Sequence, residues 1–302
     1  MTPKIFVMCG LVGSGKSYKA KELAEQYDAQ IFSSDTLREE LFGDVNDQSN
    51  NTKLFEELHK RIKNCLREGK NTIYDATNIN YKRRMSFLSE LTNIPCEKIC
   101  ILMATPYEEC LKRNAERERK VPEHVIKRMY MNFNCPYNYE GWDEIQIEYS
   151  DGAKDSYGDP CDWVESVINY NQHNSHHSLT LGQHCISTFQ KVYSTPNRFW
   201  EITTAAFIHD CGKPKTATYI NSKGEKTEEC HYYQHNFVGA YDSLFFRGVF
   251  DHLYVAQLIQ WHMHPYMSWK QSEKAKERDR KMLGELLFED IMKLHEADVA
   301  AH

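Results

Sequence analysis

A glycine-rich segment near the start of the chain has the spacing of a phosphate-binding loop. Residues 10–17 read GLVGSGKS and fit the pattern GxxxxGK[ST], with an apolar run before them and a helical pattern after them. Glycines let backbone N–H groups converge on one anion, and the following helix adds the positive end of its dipole. The residues expected around the phosphates are Gly10, Gly13, Ser14, Gly15, Lys16 and Ser17.

Two of these residues carry the chemistry of the loop. Lys16 would bring its charge to the β- and γ-phosphates, and Ser17 would offer its hydroxyl to Mg²⁺. The sequence therefore predicts a site for ATP, or another nucleoside triphosphate, together with Mg²⁺. The alternative is a glycine-rich turn that binds no ligand.

An aspartate and an arginine follow the second apolar run. Asp35 comes at the end of this predicted strand, and Arg38 lies three residues later on the same helix face. Because the carboxyl ends of parallel strands face the ligand crevice, Asp35 could accept the proton of a hydroxyl that attacks the γ-phosphate. Arg38 could hold a phosphate of the acceptor. The alternative is that Asp35 only caps a helix beginning at Thr36.

The third predicted strand ends in a similar polar group. Asp75, Thr77 and Asn78 offer a carboxylate, a hydroxyl and an amide there. Thr77 and Asn78 are predicted to contact the substrate, with helix capping as the alternative.

Basic residues are concentrated between Lys112 and Arg128, in a local patch that could bind a nucleic-acid strand end, and the helix that begins this patch is a candidate lid. The helix predicted from Glu108 to Arg119 would place cations over the transferring phosphoryl group, as nucleotide kinases require. A solvated charged face is the alternative.

The elements that must position these residues alternate between apolar runs and amphipathic helices up to about residue 150. The runs lie at residues 5–8, 30–32, 72–74, 99–102 and 145–147. This alternation predicts a parallel sheet covered by helices on both faces. Residues 151–172 are rich in turn formers, and strand signals nearly vanish from residue 173 onward. We therefore expect an α/β P-loop domain over 1–150, a linker over 151–172 and an all-α domain over 173–302.

Composition limits the class of protein. The chain has 302 residues, a net charge of -6 and ten scattered cysteines, none paired at CxxC spacing. This length is enough for two domains. The negative net charge argues against electrostatic binding of nucleic acid by the whole surface. The cysteines are expected to be reduced thiols. No apolar stretch approaches the roughly 20 residues that span a bilayer. We expect a cytoplasmic protein that makes no membrane contact.

The first-half motifs together resemble the kinase domain of phage and bacterial polynucleotide 5′-kinases, over about residues 4–132. The resemblance rests on the 10–17 loop, Asp35-x-x-Arg38, Thr77-Asn78-x-Asn80 and the run Arg113-Asn114-x-x-Arg117…Val121-Pro122…Met129. It implies that Lys16 and Ser17 handle ATP and Mg²⁺, that Asp35 is the general base and that Arg38 holds the acceptor's 3′-phosphate. It also implies that Arg117 contacts the donor phosphates. Ala76, which separates Asp75 from Thr77, departs from the family pattern.

Histidines and aspartates recur through the second half at ordered stations. These are His184, His209-Asp210, His235, His262 or His264, and Asp298. With the words TLGQH at 180–184, FIHDCGK at 207–213 and EAD at 296–298, they resemble the HD phosphohydrolase superfamily over residues 176–302. Imidazole and carboxylate ligands suit Mn, Fe, Ni, Co or Zn.

The second resemblance implies a ligand set for one or two transition-metal ions. His184, His209, Asp210 and Asp298 would hold one ion, and a second would share Asp210 and add His235 and His262. Two ions with a bound water would provide a nucleophile and clamp phosphate oxygens. Lys213 could neutralise charge on that phosphate.

The order of the two motif sets resembles bacterial polynucleotide kinases fused to an HD domain, which are end-healing enzymes. It implies phosphorylation of 5′-hydroxyl ends and removal of 2′-, 3′- or 2′,3′-cyclic phosphate from RNA, before a separate ligase acts. One alternative is a metabolite or nucleoside kinase fused to a nucleotide phosphatase. Another is a nucleotide-dependent RNA-binding regulator whose second half has lost its metal.

Overall fold

The chain folds into two compact units. A computed structural model describes residues 2–175, 178–193 and 199–301. The first unit comprises Met1–Ile126 and Pro136–Ser150, and the second comprises Lys127–Cys135 and Asp151–His302.

The first unit is built on a five-stranded parallel sheet, as the alternation of apolar runs predicted. Its strands are β1 (Lys4–Cys9), β2 (Gln30–Ser33), β3 (Thr72–Asp75), β4 (Glu97–Ala104) and β5 (Glu144–Tyr149). Their order in the sheet is β2-β3-β1-β4-β5, with every pairing parallel. Parallel strands need helical crossovers, which cover the sheet and account for the nearly continuous apolar sequence of β1 and β4.

Helices connect the strands and supply the apolar faces that cover the sheet. They are α1 (Lys16–Tyr27), α2 (Ser34–Phe42), α3 (Asn51–Arg67), α4 (Tyr81–Glu90), α5 (Tyr107–Glu116) and α6 (Glu123–Met131). In α3 the buried residues Leu54, Leu58, Ile62 and Leu66 recur at helical spacing, and the Asn50 side chain caps the first turn. Phe6 and Met8 of β1 pack in one cluster with residues of α1, β3 and β4.

A fully buried ion pair lies at one end of this sheet. Arg84 of α4 donates through Nε and Nη2 to the two carboxylate oxygens of Glu140, at 2.7 and 2.6 Å. The side chains are 1% and 0% exposed. The remaining terminal nitrogen of Arg84 donates to the carbonyl oxygen of Asn78, at 2.8 Å, so the pair also fixes the loop that follows β3.

The second unit is mainly helical. Its helices are α7 (Pro160–Ser166), α8 (Leu181–Tyr193), α9 (Phe199–Ile208), α10 (Lys213–Thr216), α11 (His235–Asp242), α12 (His252–Trp261), α13 (Glu273–Leu283) and α14 (Glu285–Val299). The all-α prediction was wrong in one part, because β6 (Thr218–Ile220) and β7 (Lys226–His231) pair as an antiparallel hairpin. A turn at 221–225, with Gly224 at φ 84°, closes it; the short strands carry a weak sequence signal.

The predicted linker over 151–172 differs from the structure. Its residues belong to the second unit and include α7, whose Val164 packs with Val167, Leu181 and Cys185 in an apolar cluster. The turn-forming residues that suggested a linker instead form the entry to α7, where Asp159 caps the helix and Pro160 occupies its first turn.

The division between the two units falls between Ser150 and Asp151, but residues 127–135 also belong to the second unit. Tyr130 donates to Asp242 at 2.6 Å, and the backbone N–H of Cys135 donates to Gln260 at 3.0 Å. These hydrogen bonds join a short segment of the first half to the helices of the second.

The ten cysteines are free thiols, and eight of them are buried. Among the described residues, no helix combines the length and apolar character needed to cross a membrane.

Replacing Arg84 with Met should strongly destabilise the first unit. The substitution leaves the Glu140 carboxylate buried without its partner, which typically costs about 3–5 kcal/mol. Urea unfolding followed by circular dichroism measures the loss. The control is Arg61→Met, which removes an exposed pair with Glu40 and should cost much less. Equal losses in the two variants would contradict this account of the buried pair.

Candidate functional site

The loop over residues 10–17 has a backbone that only glycine permits at two points. Gly13 and Gly15 have φ of 85° and 92°, in the left-handed region. A Cβ on Gly13 would overlap the carbonyl oxygen of Cys110, and one on Gly10 would lie 2.6 Å from the Ser14 hydroxyl. The loop is therefore closely packed against α5, and α1 begins directly after it at Lys16.

Lys16 and Ser17 lie where the loop enters α1. The Lys16 amine donates to the carbonyl oxygen of Leu11 at 2.6 Å, and burial lowers its pKa although the Asp75 carboxylate opposes the shift. The exposed Ser17 hydroxyl donates to Asp75 at 2.9 Å. Hydroxyl and carboxylate oxygens are ligands that Mg²⁺ accepts, so these two side chains could hold one ion between them. The sequence identified Asp75 as a strand-end carboxylate but did not pair it with Ser17.

Asp35 lies in the first turn of α2, at the same edge of the sheet. The helix begins at Ser34, two residues before the Thr36 start that the capping alternative required, and Asp35 does not cap it. Its Oδ1 accepts from Arg38 at 3.1 Å and its Oδ2 accepts from Arg119 at 3.0 Å. Arg38 is buried and donates a second bond to Asn51. The sequence predicted the Asp35–Arg38 pair; the part played by Arg119 was missed.

Thr77 and Asn78 follow β3 at the same edge of the sheet, between Asp35 and the phosphate loop. The Thr77 carbonyl oxygen accepts from the Gly10 backbone at 3.0 Å, and the Asn78 amide donates to the Met8 carbonyl at 2.9 Å. Asn78 has φ of 46°. These bonds tie the end of β3 to the start of the phosphate loop, and the Asn78 amide nitrogen is engaged there.

The basic helix predicted to Arg119 ends earlier, at Glu116. The buried Asn114 side chain exchanges two hydrogen bonds with the backbone of Val121, both at 2.9 Å, and so closes a loop over residues 115–120. Arg117 follows the helix in extended conformation and is exposed. The positive charge of Arg117 reaches Lys16, whose pKa it helps to lower.

A cleft of about 770 Å³ opens beside these residues. Ser17, Asp35 and Asp75 line it, together with apolar side chains that include Ile31, Phe32 and Leu58. Two carboxylates and the hydroxyl after the phosphate loop therefore face one space, which has the size of a small-ligand site.

The second unit brings the predicted histidine and aspartate stations into two adjoining groups. The ligand atoms of His184, His209 and Asp298 all lie within 4.8 Å of one another, and so do those of Asp210, His235 and His262. Asp210 joins the groups: its Oδ2 is 3.4 Å from His209, and its Oδ1 is 3.3 Å from His235. His184 lies 2.9 Å from Asp298.

The orientation of the imidazoles fits metal ligation. His209, His235 and His262 each place Nδ1 against the carbonyl oxygen three residues earlier, at 3.0, 2.7 and 2.6 Å. Donation from Nδ1 leaves the Nε2 lone pair directed at the cluster, which is the usual arrangement of ligating histidines.

The spacing of the ring nitrogens gives the same result. Nε2 of His184 is 3.2 Å from Nε2 of His209, and Nε2 of His235 is 3.3 Å from Nε2 of His262. Two nitrogens each about 2.1 Å from one ion lie about 3.0–3.4 Å apart. Both pairs therefore fit an ion between them.

The charged groups of the cluster shift one another's pKa values. Burial alone would lower the pKa of His209, but the Asp210 and Asp298 carboxylates raise it to about 10. Burial and the neighbouring His235 and His209 lower the pKa of His262 to about 3. A divalent cation would replace the proton on His209, because a ligating imidazole is neutral.

Lys213 is buried against the cluster. Its amine lies 2.7 Å from Oδ2 of Asp210 and 2.8 Å from the side-chain oxygen of Gln172. Gly212 permits this arrangement, since a Cβ there would overlap the His235 carbonyl oxygen. Gln172, which the sequence placed in the linker, thus supports the site.

His262 and His264, left as alternatives by the sequence, occupy different places. His262 belongs to the second group, whereas His264 packs against the rings of Trp261 and Trp269, at 4.1 and 6.0 Å between centroids. The two histidines are two residues apart at the end of α12, so they point to different sides.

Comparison with known proteins finds a family match in the first half of the chain. Residues 5–136 match the AAA_33 family model, described as an AAA domain. An L-seryl-tRNA(Sec) kinase from Methanococcus maripaludis is 27% identical over 160 residues, covering 51% of this chain and 62% of the relative. The chain therefore spans less than two thirds of that relative.

Two solved structures are similar to part of the chain. The match to a gluconokinase from Sinorhizobium meliloti has a TM-score of 0.37 at 13% identity, covering 50% of this chain and 84% of that one. The match to the Pnkp1/Rnl/Hen1 RNA repair complex has a TM-score of 0.36 at 20% identity, covering 42% and 43%.

Replacing His262 with Gln should lower the metal content of the purified protein, whereas His264→Gln should leave it unchanged. Loss of a ligand should weaken binding by at least about tenfold, since even supporting residues of such sites contribute that much. Metal analysis after equilibration with Mn²⁺ or Zn²⁺ measures the difference. Equal metal content in both variants would exclude His262 as a ligand.

Proposed function

We propose that this protein heals the ends of broken RNA. The first unit would transfer the γ-phosphate of ATP to a 5′-hydroxyl end. The second would remove a 2′-, 3′- or 2′,3′-cyclic phosphate from the other end. The observation that carries the kinase assignment is the single cleft lined by Ser17, Asp75 and Asp35 beside the phosphate loop.

The first unit would divide donor and acceptor between two sides of this cleft. The 10–17 loop and Lys16 would hold the β- and γ-phosphates of ATP. Ser17 and Asp75 would hold Mg²⁺, and that ion would neutralise phosphate charge. Asp35 receives the proton of the attacking hydroxyl while the oxygen of that hydroxyl bonds to the γ-phosphorus and ADP leaves. Arg117, exposed at the end of α5, would contact the donor phosphates.

A polynucleotide is favoured as acceptor by the arginines at Asp35. A nucleoside hydroxyl needs only a base, whereas a nucleotide brings a phosphate that a buried guanidinium such as Arg38 can bind. The curated relative is named for a kinase acting on L-seryl-tRNA(Sec), which is also an RNA. The net charge of -6 then confines nucleic-acid contact to local patches.

The second unit has the donor set for metal-dependent phosphoester hydrolysis. His184, His209, Asp210 and Asp298 would hold one transition-metal ion, and a second would share Asp210 with His235 and His262. Ions of this kind acidify a water and clamp phosphate oxygens. Lys213, which the sequence suggested could neutralise phosphate charge, lies 2.7 Å from Oδ2 of Asp210 and would instead position that ligand.

The two activities would act on the two ends of the same broken RNA, which explains why they occur in one chain. Many ribonucleases leave a 5′-hydroxyl on one fragment and a 2′,3′-cyclic phosphate or phosphate on the other. A ligase that needs a 5′-phosphate and a free 3′-hydroxyl can act only after both ends are changed. A separate ligase is therefore the expected partner, and RNA ends are the expected substrate.

The kinase is tested by incubating the protein with labelled ATP, Mg²⁺ and a 5′-hydroxyl oligoribonucleotide. We expect label at the 5′ end, and excess nucleoside should not compete. Asp35→Asn should lower the rate by roughly 10²- to 10⁴-fold, because it removes the general base. Asp298→Asn, which lies in the second unit, should not change it. A wild-type protein that labels nucleosides in preference to the oligonucleotide would instead identify a small-molecule kinase.

A further inference from the structure

Asp35 contacts a second arginine, Arg119, to which the proposed function gives no role. We propose that Arg119 is a second acceptor arginine. With Arg38 it would hold the 3′-phosphate of the nucleotide that carries the 5′-hydroxyl, and so select nucleotide over nucleoside acceptors. This inference rests on the proposed kinase function.

Each of the three guanidinium nitrogens of Arg119 donates one hydrogen bond in one corner of the first unit, which leaves two of its five N–H groups for an acceptor. Nη1 donates to Oδ2 of Asp35 at 3.0 Å, Nε donates to the side chain of Asn46 at 2.9 Å, and Nη2 donates to the carbonyl oxygen of Val45 at 3.0 Å. The loop closed by Asn114 delivers Arg119 to this place. Three bonds from a partly exposed side chain fix its position in a way that simple solvation of a charged face would not require.

The contacts surround the acceptor base with positive charge. Asp35 is half exposed, at 51%, and each of its oxygens accepts from a different arginine. One carboxylate and two guanidiniums leave an excess of one positive charge. Hydrogen bonds from Ser49, and to a smaller extent the charge of Arg38, lower the pKa of the nearby Asp47. Its carboxylate accepts from the Ser49 backbone N–H at 2.7 Å rather than from either arginine. An anion brought by the acceptor would balance the excess.

Arg38 offers a second sign that an acceptor anion belongs here. Its Nε is buried and has no hydrogen-bond partner in the part of the chain that the structure describes. A buried donor without a partner is costly, and a phosphate oxygen would satisfy it. Because Arg38 and Arg119 meet at the same carboxylate, a phosphate beside Asp35 could accept from both guanidiniums.

This position separates Arg119 from Arg117. Arg117 acts electrostatically on Lys16, at the donor side, whereas Arg119 contacts the acceptor base. Two arginines only two residues apart would thus serve opposite ends of the transfer.

Arg119→Gln tests the inference through the choice of acceptor. With adenosine 3′-monophosphate or an oligonucleotide, kcat/KM should fall about 10- to 100-fold, as expected for loss of a charge-assisted bond pair. With adenosine as acceptor, kcat/KM should change little, and the KM for ATP should stay the same. Arg119→Lys should recover part of the loss, since it retains the charge but loses the planar fork.

Two further variants sharpen the result. Asn46→Ala removes a bond that holds Arg119, and in the double variant with Arg119→Gln its effect should largely disappear. Arg280→Gln, which removes an exposed ion pair in the second unit, is the matched control and should leave both acceptors unaffected.

A binding measurement tests the role of Arg119 independently of the kinase activity. Calorimetric titration with adenosine 3′-monophosphate, without ATP, should show binding that weakens in Arg119→Gln. If that holds while the wild type transfers no phosphate, the kinase proposal fails and the acceptor arginine stands. An equal loss with adenosine and its 3′-monophosphate would overturn the inference. So would a rise in kcat at unchanged acceptor KM, which would show that Arg119 restrains Asp35.

Discussion

Parallel pairing of β1 with β3, and of β3 with β2, is the constraint on which the first site depends. The pairing makes the strands end at one edge, so the phosphate loop after β1, Asp75 at the end of β3 and Asp35 after β2 share a cleft. Parallel pairing therefore brings a donor loop and two carboxylates together although they lie far apart in the sequence. The buried Arg84–Glu140 pair stabilises the same edge, because Arg84 also donates to the carbonyl oxygen of Asn78 in the loop after β3.

In the second unit the corresponding constraint is the buried Asp210 carboxylate. Burial raises its pKa, but Lys213 and His209 hold that pKa well below its usual value, so the group stays charged. A buried charge must be balanced, and here one oxygen faces His209 while the other faces His235. Gly212 makes the balance possible because α11 can approach only where there is no side chain. The site is therefore a consequence of local packing, although its residues are spread over more than a hundred positions of sequence (about the length of a domain).

The sequence was most informative where a short pattern determines its own surroundings. Apolar runs predicted all five strands of the sheet in the first unit. The glycines and Lys16 predicted the phosphate loop between a strand and a helix. It was least informative where long-range contacts decide. Nothing in the basic stretch distinguishes Arg119 from its neighbours, because its role depends on Asn114 ending the helix at Glu116 and turning the chain back. The choice between His262 and the neighbouring histidine likewise depends on side-chain direction at the end of α12, which a ligand pattern does not define.

We propose that one chain heals both RNA ends with two separate sites. The direct measurement is sealing of a broken RNA that carries a 5′-hydroxyl and a 2′,3′-cyclic phosphate, by a ligase that requires a 5′-phosphate and a 3′-hydroxyl. Wild-type protein with ATP and both metals should permit sealing, and Asp35→Asn and Asp210→Asn should each prevent it. A mixture of the two variants should restore sealing, because each retains the site that the other lacks. Sealing by either variant alone, or failure of the wild type to modify one of the two ends, would contradict the account.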